Sequence, residues 1–307
     1  MTTQWKQKDI PDQTGKVVIV TGGNSGIGYE AALALAGKNA QVILAVRSMD
    51  KGEEAAQAIR QRYPQAQVIV MALDLSDLKS VRAFAENFLK QYKRLDILIN
   101  NAGVMALPKR KTADGFEMQF GTNHLGHFAL TGLLLPVLKV TPNGRIVTVS
   151  SGVHVSGDIH FDDLQWEKTY DRWGAYAQSK LANLLFAYEL QRKLSATGSS
   201  LISLGCHPGY AATNLQAAGP KMDGSAVRLW MMNIANAILA QGQDMGALPT
   251  LYAAVASDVN GCDYIGPKGG MRGYPDKVKS NNKSYDEALA KRLWQVSEEL
   301  TGVVYGF

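Results

Sequence analysis

Apolar residues along the chain fall into two alternating rhythms. Short runs rich in Val, Ile and Leu recur at residues 16–21, 41–46, 67–73, 95–99, 145–149 and 201–206. The first of them, Val17-Val18-Ile19-Val20, has no polar alternation at all. Runs of that kind predict strands buried on both faces. Between them lie stretches with helical spacing, at 29–38, 51–63, 77–92, 115–140 and from Gly174 through Leu190. Pro64 ends the second of these, and Asp77 or Ser76 is placed to cap the third. Strict alternation of strand and helix predicts an α/β fold, a doubly wound parallel sheet with helices on both faces. No linker or internal repeat interrupts it. The chain, 1–307, therefore reads as a single domain with a polar N-terminal arm at 1–15.

The polar residues that break the pattern sit at the ends of the predicted strands. The first strand runs into Gly22-Gly23-Asn24-Ser25-Gly26-Ile27-Gly28 and then a helix. Strand, glycine turn, helix and strand open a dinucleotide-binding βαβ unit of the Rossmann type. Its glycines let backbone approach a pyrophosphate at the helix N-terminus. Asp74, Asn100-Asn101-Ala102-Gly103, Ser150-Ser151 and His207-Pro208-Gly209 follow the later strands. Ligands of such sheets bind outside the carboxyl ends of the strands, so these clusters converge on one expected site.

Composition narrows the picture by exclusion. The chain has 307 residues, 46% of them hydrophobic and 19% charged, with a formal net charge of +5. Basic residues are dispersed, and Lys109-Arg110-Lys111 is the one tight run, so no nucleic-acid footprint is expected. The longest apolar run, at 125–138, spans about 14 residues and includes His127, too short to cross a bilayer. Residues 1–15 carry no apolar segment of the secretory type. Cys206 and Cys262 form no disulfide framework, which points to a reducing, cytoplasmic setting. His124, His127, His154, His160 and His207 lack metal-ligand spacing and read as core or surface residues.

Within the helix that begins near Gly174, Tyr176 and Lys180 are one turn apart on one face. A free phenol ionises near pH ~10, and an adjacent ammonium lowers that value. The pair is therefore a candidate general acid/base, although a tyrosine and a lysine at this spacing are also common on ordinary helix faces.

Taken together, these residues resemble the short-chain dehydrogenase/reductases. The likeness lies in Thr21-Gly22-Gly23-Asn24-Ser25-Gly26-Ile27-Gly28, Asn100-Asn101-Ala102-Gly103, Asn123, Ser151, Tyr176, Lys180 and Pro208-Gly209, and runs from about Lys16 to Thr213. The longer Ser-to-Tyr gap (156–171) and Asn-His-Leu-Gly-His-Phe at 123–128 are similar to the retinol-dehydrogenase-like branch. The resemblance implies a catalytic tetrad of Asn123, Ser151, Tyr176 and Lys180. Tyr176 would give a proton to a carbonyl oxygen that Ser151 holds. Lys180 would lower the Tyr176 pKa and bind the nicotinamide ribose, and Asn123 would hold a water linking Lys180 to solvent. It also implies cofactor contacts from Gly22, Asn24, Ser25, Gly26, Ile27, Gly28, Asp74, Leu75, Asn101, Ala102, Gly103, Pro208, Gly209 and Thr213. The site that selects NAD needs an acid after the second strand. Val46 stands there, followed by Arg47, whose fork suits a 2′-phosphate. NADP(H) is therefore the expected cofactor, against the alternative of a solvated arginine.

Two rival readings remain. Light-driven protochlorophyllide reductases are related, but they carry a cysteine where this chain has Tyr210. A non-catalytic NADP-sensing protein usually loses the Tyr or the Lys, and both are present. Helical spacing at 224–243, with Val227, Trp230, Met231, Ile234 and Ile238 on one stripe, predicts an apolar helix within a substrate lid over 210–245. The expected substrate is thus a bulky apolar aldehyde, ketone or alcohol, retinoid-like, aryl or long-chain. Relatives that assemble through the helices of Asn123 and Tyr176 make a homo-oligomer an expectation as well.

Overall fold

The computed structural model describes residues 4–210 and 241–307. Thr213 and the predicted lid helix, Trp230 and Met231 included, lie outside the described residues. The expected strands form at β1 (Val17–Thr21), β2 (Gln41–Val46), β3 (Gln67–Ala72), β4 (Ile97–Asn100), β5 (Arg145–Val149) and β6 (Ile202–Cys206). Two more, β7 (Tyr264–Pro267) and β8 (Pro275–Lys277), extend the sheet. The order is β3-β2-β1-β4-β5-β6-β7-β8, parallel throughout except for β8, which pairs antiparallel with β7. Strand order reverses between β1 and β4, the position at which a doubly wound sheet opens a crevice.

Alternate residues of β1 face opposite layers, as a period of two requires. Val18 and Val20 pack with α1 (Gly26–Ala36), α2 (Met49–Arg62) and α7 (Gln243–Val255). Val17 and Ile19 pack with α3 (Leu78–Gln91), α5 (Gly126–Val140) and α6 (Arg172–Ala196). The predicted helix over 115–140 is a composite: one turn of α4 (Met118–Phe120), a π-helical segment (Gly121–Leu125) that holds Asn123, and then α5. Such π segments are rare and concentrate at functional sites.

The C-terminal helix α8 (Glu287–Thr301) and the tail after it cover the outer faces of α5 and α6. Trp294 and Tyr305 pack on Phe128 of α5 and Phe186 of α6, and the Tyr305 hydroxyl donates to the Phe128 carbonyl at 2.6 Å. These residues fill the side of the two helices away from the sheet. Among the described residues no helix is long and apolar enough to cross a membrane.

Trp294 is 3% exposed and touches α6, which carries Tyr176 and Lys180, and α5, which continues from the segment of Asn123. Trp294→Ala is expected to cost about 3–5 kcal/mol of stability, the range for emptying a buried aromatic site. A denaturant titration that moved by less than about 1 kcal/mol would contradict this packing role.

Candidate active site

A cavity of about 960 Å³ opens at the carboxyl ends of the strands, over the β1/β4 crossover. Its wall contains Gly22, Asn24, Ser25, Gly26, Ile27, Gly28, Arg47, Asp74, Leu75, Asn101, Ala102, Gly103, Ser151, Tyr176, Lys180, Pro208 and Gly209. Asn123 is fully buried behind it rather than among the lining residues.

The glycine turn is shaped for close approach. Gly22 (φ 65°) and Gly26 (φ 59°) adopt left-handed backbone, which favours glycine. A Cβ on Gly28 would collide with the Asn101 amide and the Gly22 carbonyl. α1 begins at Gly26, earlier than the alanine-rich stretch suggested, because Ser25 takes the extended N-cap position. Ser25 makes no side-chain cap bond, so the side chain leaves the first-turn N–H groups beside the cavity uncapped. Uncapped donors and the positive helix end fit a pyrophosphate. These residues therefore suit the cofactor that the glycine pattern implies. Arg47 is exposed at the rim after β2, whereas Val46 is buried in the sheet. Asp74 is oriented by Ser76, whose backbone N–H and hydroxyl both donate to Oδ1, at 2.9 and 2.6 Å.

Beneath the cavity, the Thr21 hydroxyl gathers the ends of β1 and β4. Its Oγ1 accepts from the backbone N–H groups of Asn101 and Ala102, both at 2.9 Å, while the Asn101 side chain donates to the Thr21 carbonyl at 2.8 Å. The same Oγ1 lies 2.9 Å from His127 Nε2, and His127 Nδ1 lies 3.0 Å from the Asn123 carbonyl. A carbonyl only accepts, so Nδ1 carries the ring proton and Nε2 accepts from Thr21. Burial, and then the charge of Lys180, push His127 down to about 4, so the ring is neutral.

Asn123 sits in the π-helical segment and braces two walls. Its Oδ1 accepts from the Val104 N–H at 2.8 Å, and its Nδ2 donates to the Val104 carbonyl and to Ser179 Oγ, both at 2.9 Å. Ser179 Oγ in turn donates to the Tyr176 carbonyl at 2.8 Å. Both side-chain N–H groups of Asn123 are thus taken by protein partners. The residue acts as a tie between the Gly103–Val104 loop and the helix of Tyr176.

Ser151 follows β5 and lines the cavity with Tyr176, whose pKa its hydroxyl pulls down. Lys180 Nζ donates to the Val149 carbonyl at 3.2 Å and lies 5.7 Å from the Tyr176 ring centroid. The expectation that Lys180 lowers the Tyr176 pKa is not met. Burial pushes Tyr176 up to about 12 against the pull of the Ser151 hydroxyl, and it pushes Lys180 down to about 8. Desolvation is the largest cause for both groups. A phenol at about 12 stays protonated at neutral pH, which is the form a proton donor needs.

Several wall residues went unnoticed in the sequence: Val104, Met105, Val153, Arg172, Trp173 and Tyr210. Arg172 and Trp173 precede Tyr176 by four and three residues on one helix, so helical spacing alone could have found them. Trp173 is 50% exposed and meets the Tyr176 ring edge-on, with centroids 6.2 Å apart at 77°. Pro208-Gly209 is held by His207, whose Nδ1 accepts from the Gly209 N–H at 3.3 Å.

Against known proteins, the family model described as short chain dehydrogenase matches residues 16–223. Human retinol dehydrogenase 13 is 44% identical over 293 residues, covering 94% of this chain and 85% of that protein. Human retinol dehydrogenase 12 is 45% identical over 289 residues, with 94% and 87% covered. A crystal structure of an uncharacterised protein from Mycobacterium paratuberculosis superimposes with a TM-score of 0.82 at 44% identity, over 99% of this chain and 100% of that one.

Burial of the Lys180 ammonium has a cost that pH can expose. Between about 8 and the ordinary 10.5, the folded state binds fewer protons than the unfolded state, so stability contributed by this site rises with pH there. Lys180→Met keeps the volume and removes the charge, and Asn183 Nδ2 still donates to the Val149 carbonyl at 3.1 Å. Without added ligand, the variant should melt above the wild type below pH 8, and the gap should close toward pH 10.5. A constant or widening gap would contradict the lowered pKa.

Proposed function

The chain belongs to the short-chain dehydrogenase family, in its retinol-dehydrogenase-like branch, and we propose that it is an NADP(H)-dependent enzyme for bulky apolar carbonyls and alcohols. The coarser statement, an oxidoreductase that transfers hydride between a nicotinamide and a C=O/CH–OH group, follows from the family. One observation carries the reading: a buried, protonated Tyr176 shares a cavity with Ser151, Lys180 and the Gly22–Gly28 turn. A bound nicotinamide would supply or take the hydride. Ser151 would hold the substrate oxygen, and Tyr176 would give it a proton during reduction or remove one during oxidation. Lys180, with its pKa at about 8, would stand ready to exchange a proton near physiological pH. Val104, Met105, Val153, Trp173 and Tyr210 support an apolar substrate, since they supply hydrocarbon and ring surface around the reacting groups.

The preference for NADP(H) rests on Arg47, exposed at the rim where an acid would select NAD. Two free thiols, Cys206 and Cys262, support the cytoplasmic part of the reading. A homo-oligomer remains part of it too, built on surface other than that which α8 covers on α5 and α6.

Following nicotinamide absorbance with a panel of aldehydes tests the reading directly. Turnover should be faster with NADPH than with NADH and should rise with added methylenes. Tyr176→Phe should lose about 10²–10⁴-fold in kcat, as removal of a general acid does, while still binding NADPH. Turnover by that variant near the wild-type rate would remove Tyr176 from the mechanism.

Arg47→Asp takes away a partner for a 2′-phosphate and adds an acceptor for a ribose hydroxyl. The ratio of kcat/KM for NADPH over that for NADH should fall by at least about tenfold, the equivalent of ~1.4 kcal/mol. An unchanged ratio would show that Arg47 takes no part in cofactor choice.

A further inference from the structure

His154 lies three residues beyond Ser151, in the 3-10 turn Gly152–Ser156, and is 3% exposed. It is not among the residues lining the cavity. Every polar atom of the residue is nonetheless engaged. Its Nδ1 is 2.6 Å from the Ser151 carbonyl, which also accepts the His154 backbone N–H at 3.0 Å. Its Nε2 accepts from the backbone N–H of Asn281 at 3.2 Å, and its own carbonyl accepts from Asn281 Nδ2 at 3.2 Å. The tautomer follows from these partners. A carbonyl only accepts and a backbone N–H only donates, so the proton is on Nδ1 and Nε2 is bare. Tyr264 walls the ring edge-on, with centroids 5.4 Å apart at 82°.

Asn281 belongs to a segment fixed on α6. Tyr285 stacks on Tyr188 of α6 with ring centroids 5.2 Å apart and 8° between planes, and the Tyr188 hydroxyl is 3.0 Å from Ser280 Oγ. A closed path therefore runs from Ser151 through His154 and Asn281 to Tyr188, and along α6 back to Tyr176. Ser151 and Tyr176 come from different elements; the Ser150 hydroxyl, donating to the Lys180 carbonyl at 2.8 Å, ties β5 to α6 on one side of the serine, and the His154 path adds a tie on the other. Within the Gly152–Ser156 turn, Ser151 Oγ also accepts from the Val153 N–H at 3.4 Å, a local bond that reaches no other element.

We propose that His154 is a positioning residue for Ser151, its imidazole donating to the Ser151 carbonyl and anchored by Asn281, so that the serine hydroxyl is held in register with Tyr176. The inference rests on the reductase reading for its kinetic consequence, though not for its geometry. The bland alternative is a buried ring that only fills space beneath a loop, and the two predict different behaviour from matched substitutions. In His154→Asn the amide N–H falls near the Nδ1 position and can still donate to Ser151. In His154→Gln the longer amide reaches the Nε2 position and can still accept from Asn281. Each variant loses one of the two bonds, so their melting temperatures should fall by similar amounts.

If His154 positions Ser151, kcat for an apolar aldehyde should fall about five- to tenfold in His154→Gln and clearly less in His154→Asn, with the KM for NADPH unchanged in both. In a Ser151→Ala background, His154→Gln should add little further loss, because the hydroxyl it positions is gone. Equal losses in the Asn and Gln variants, kcat tracking melting temperature, or full additivity with Ser151→Ala would each overturn the proposal. The ¹⁵N resonances of the wild-type histidine rings give a readout that needs neither turnover nor a variant. An Nδ1–H tautomer for His154 is expected, and an Nε2–H tautomer would overturn the bond to Ser151. A wild type that turns over no carbonyl would defeat the reductase reading, and the tautomer would still decide the geometry.

Discussion

The Thr21 hydroxyl is the point on which the floor of the cavity depends. It lies at the end of β1, beside the crossover to β4, and accepts from the backbone N–H groups of Asn101 and Ala102, the first of which also donates to the Ile99 carbonyl at 3.0 Å. An N–H left unpaired away from water costs about 1–3 kcal/mol, so this oxygen helps hold the turn of Asn101-Ala102-Gly103. Its remaining proton goes to His127, which hands the constraint on to the Asn123 carbonyl and so to the π-helical segment. Asn123 then fixes Val104 and Ser179. Glycine turn, mid-sheet loop and the helix of Tyr176 are thereby joined in one hydrogen-bonded frame, settled before any ligand arrives. Such pre-organisation is what a site needs if its donors are to meet a developing charge without rearranging.

The sheet as far as β6 was legible because its strands are short apolar runs, most of them buried on both faces. The cavity wall was legible because a parallel sheet brings its carboxyl ends together, so glycines, Asn101, Ser151 and Pro208 at four separate strand ends could be read as one place. What escaped had weaker local signals. β7 and β8 are short, and β8 is a three-residue edge pairing, set by tertiary contact rather than pattern. α1 starts at Gly26, after Ser25 in the extended N-cap position, despite the low helix propensity of glycine. The histidines were read as core or surface residues, which missed their work. His127, His154 and His207 each accept or donate at a backbone group beside the cavity, and no spacing rule in a sequence announces that.

The C-terminal helix α8 has a comparable hidden role. α5 and α6 carry the site on one side and are apolar on the other, as the buried positions Phe128, Phe186 and Leu190 attest. An isolated α/β sheet would leave that second side to solvent or to a partner. Trp294, Val303 and Tyr305 close it from within the same chain. Rigidity of the catalytic helix thus depends on residues more than a hundred positions away in sequence from Tyr176, beyond the reach of any local pattern.

Burial also settles which way protons move. Taking Tyr176 and Lys180 out of water favours the neutral form of each, holding the phenol at about 12 and bringing the lysine to about 8. Under the proposed roles, a tyrosinate left after proton donation would be a far stronger base than the lysine beside it. Proton return from Lys180 toward Tyr176 is then downhill, and the phenol is restored for the next turnover. If the lysine lowered the tyrosine instead, as their helical spacing alone suggested, the gap would narrow and that drive would weaken. The same burial that makes the unliganded site costly to fold therefore keeps its acid loaded at neutral pH, and the two effects cannot be separated by a change at either residue alone.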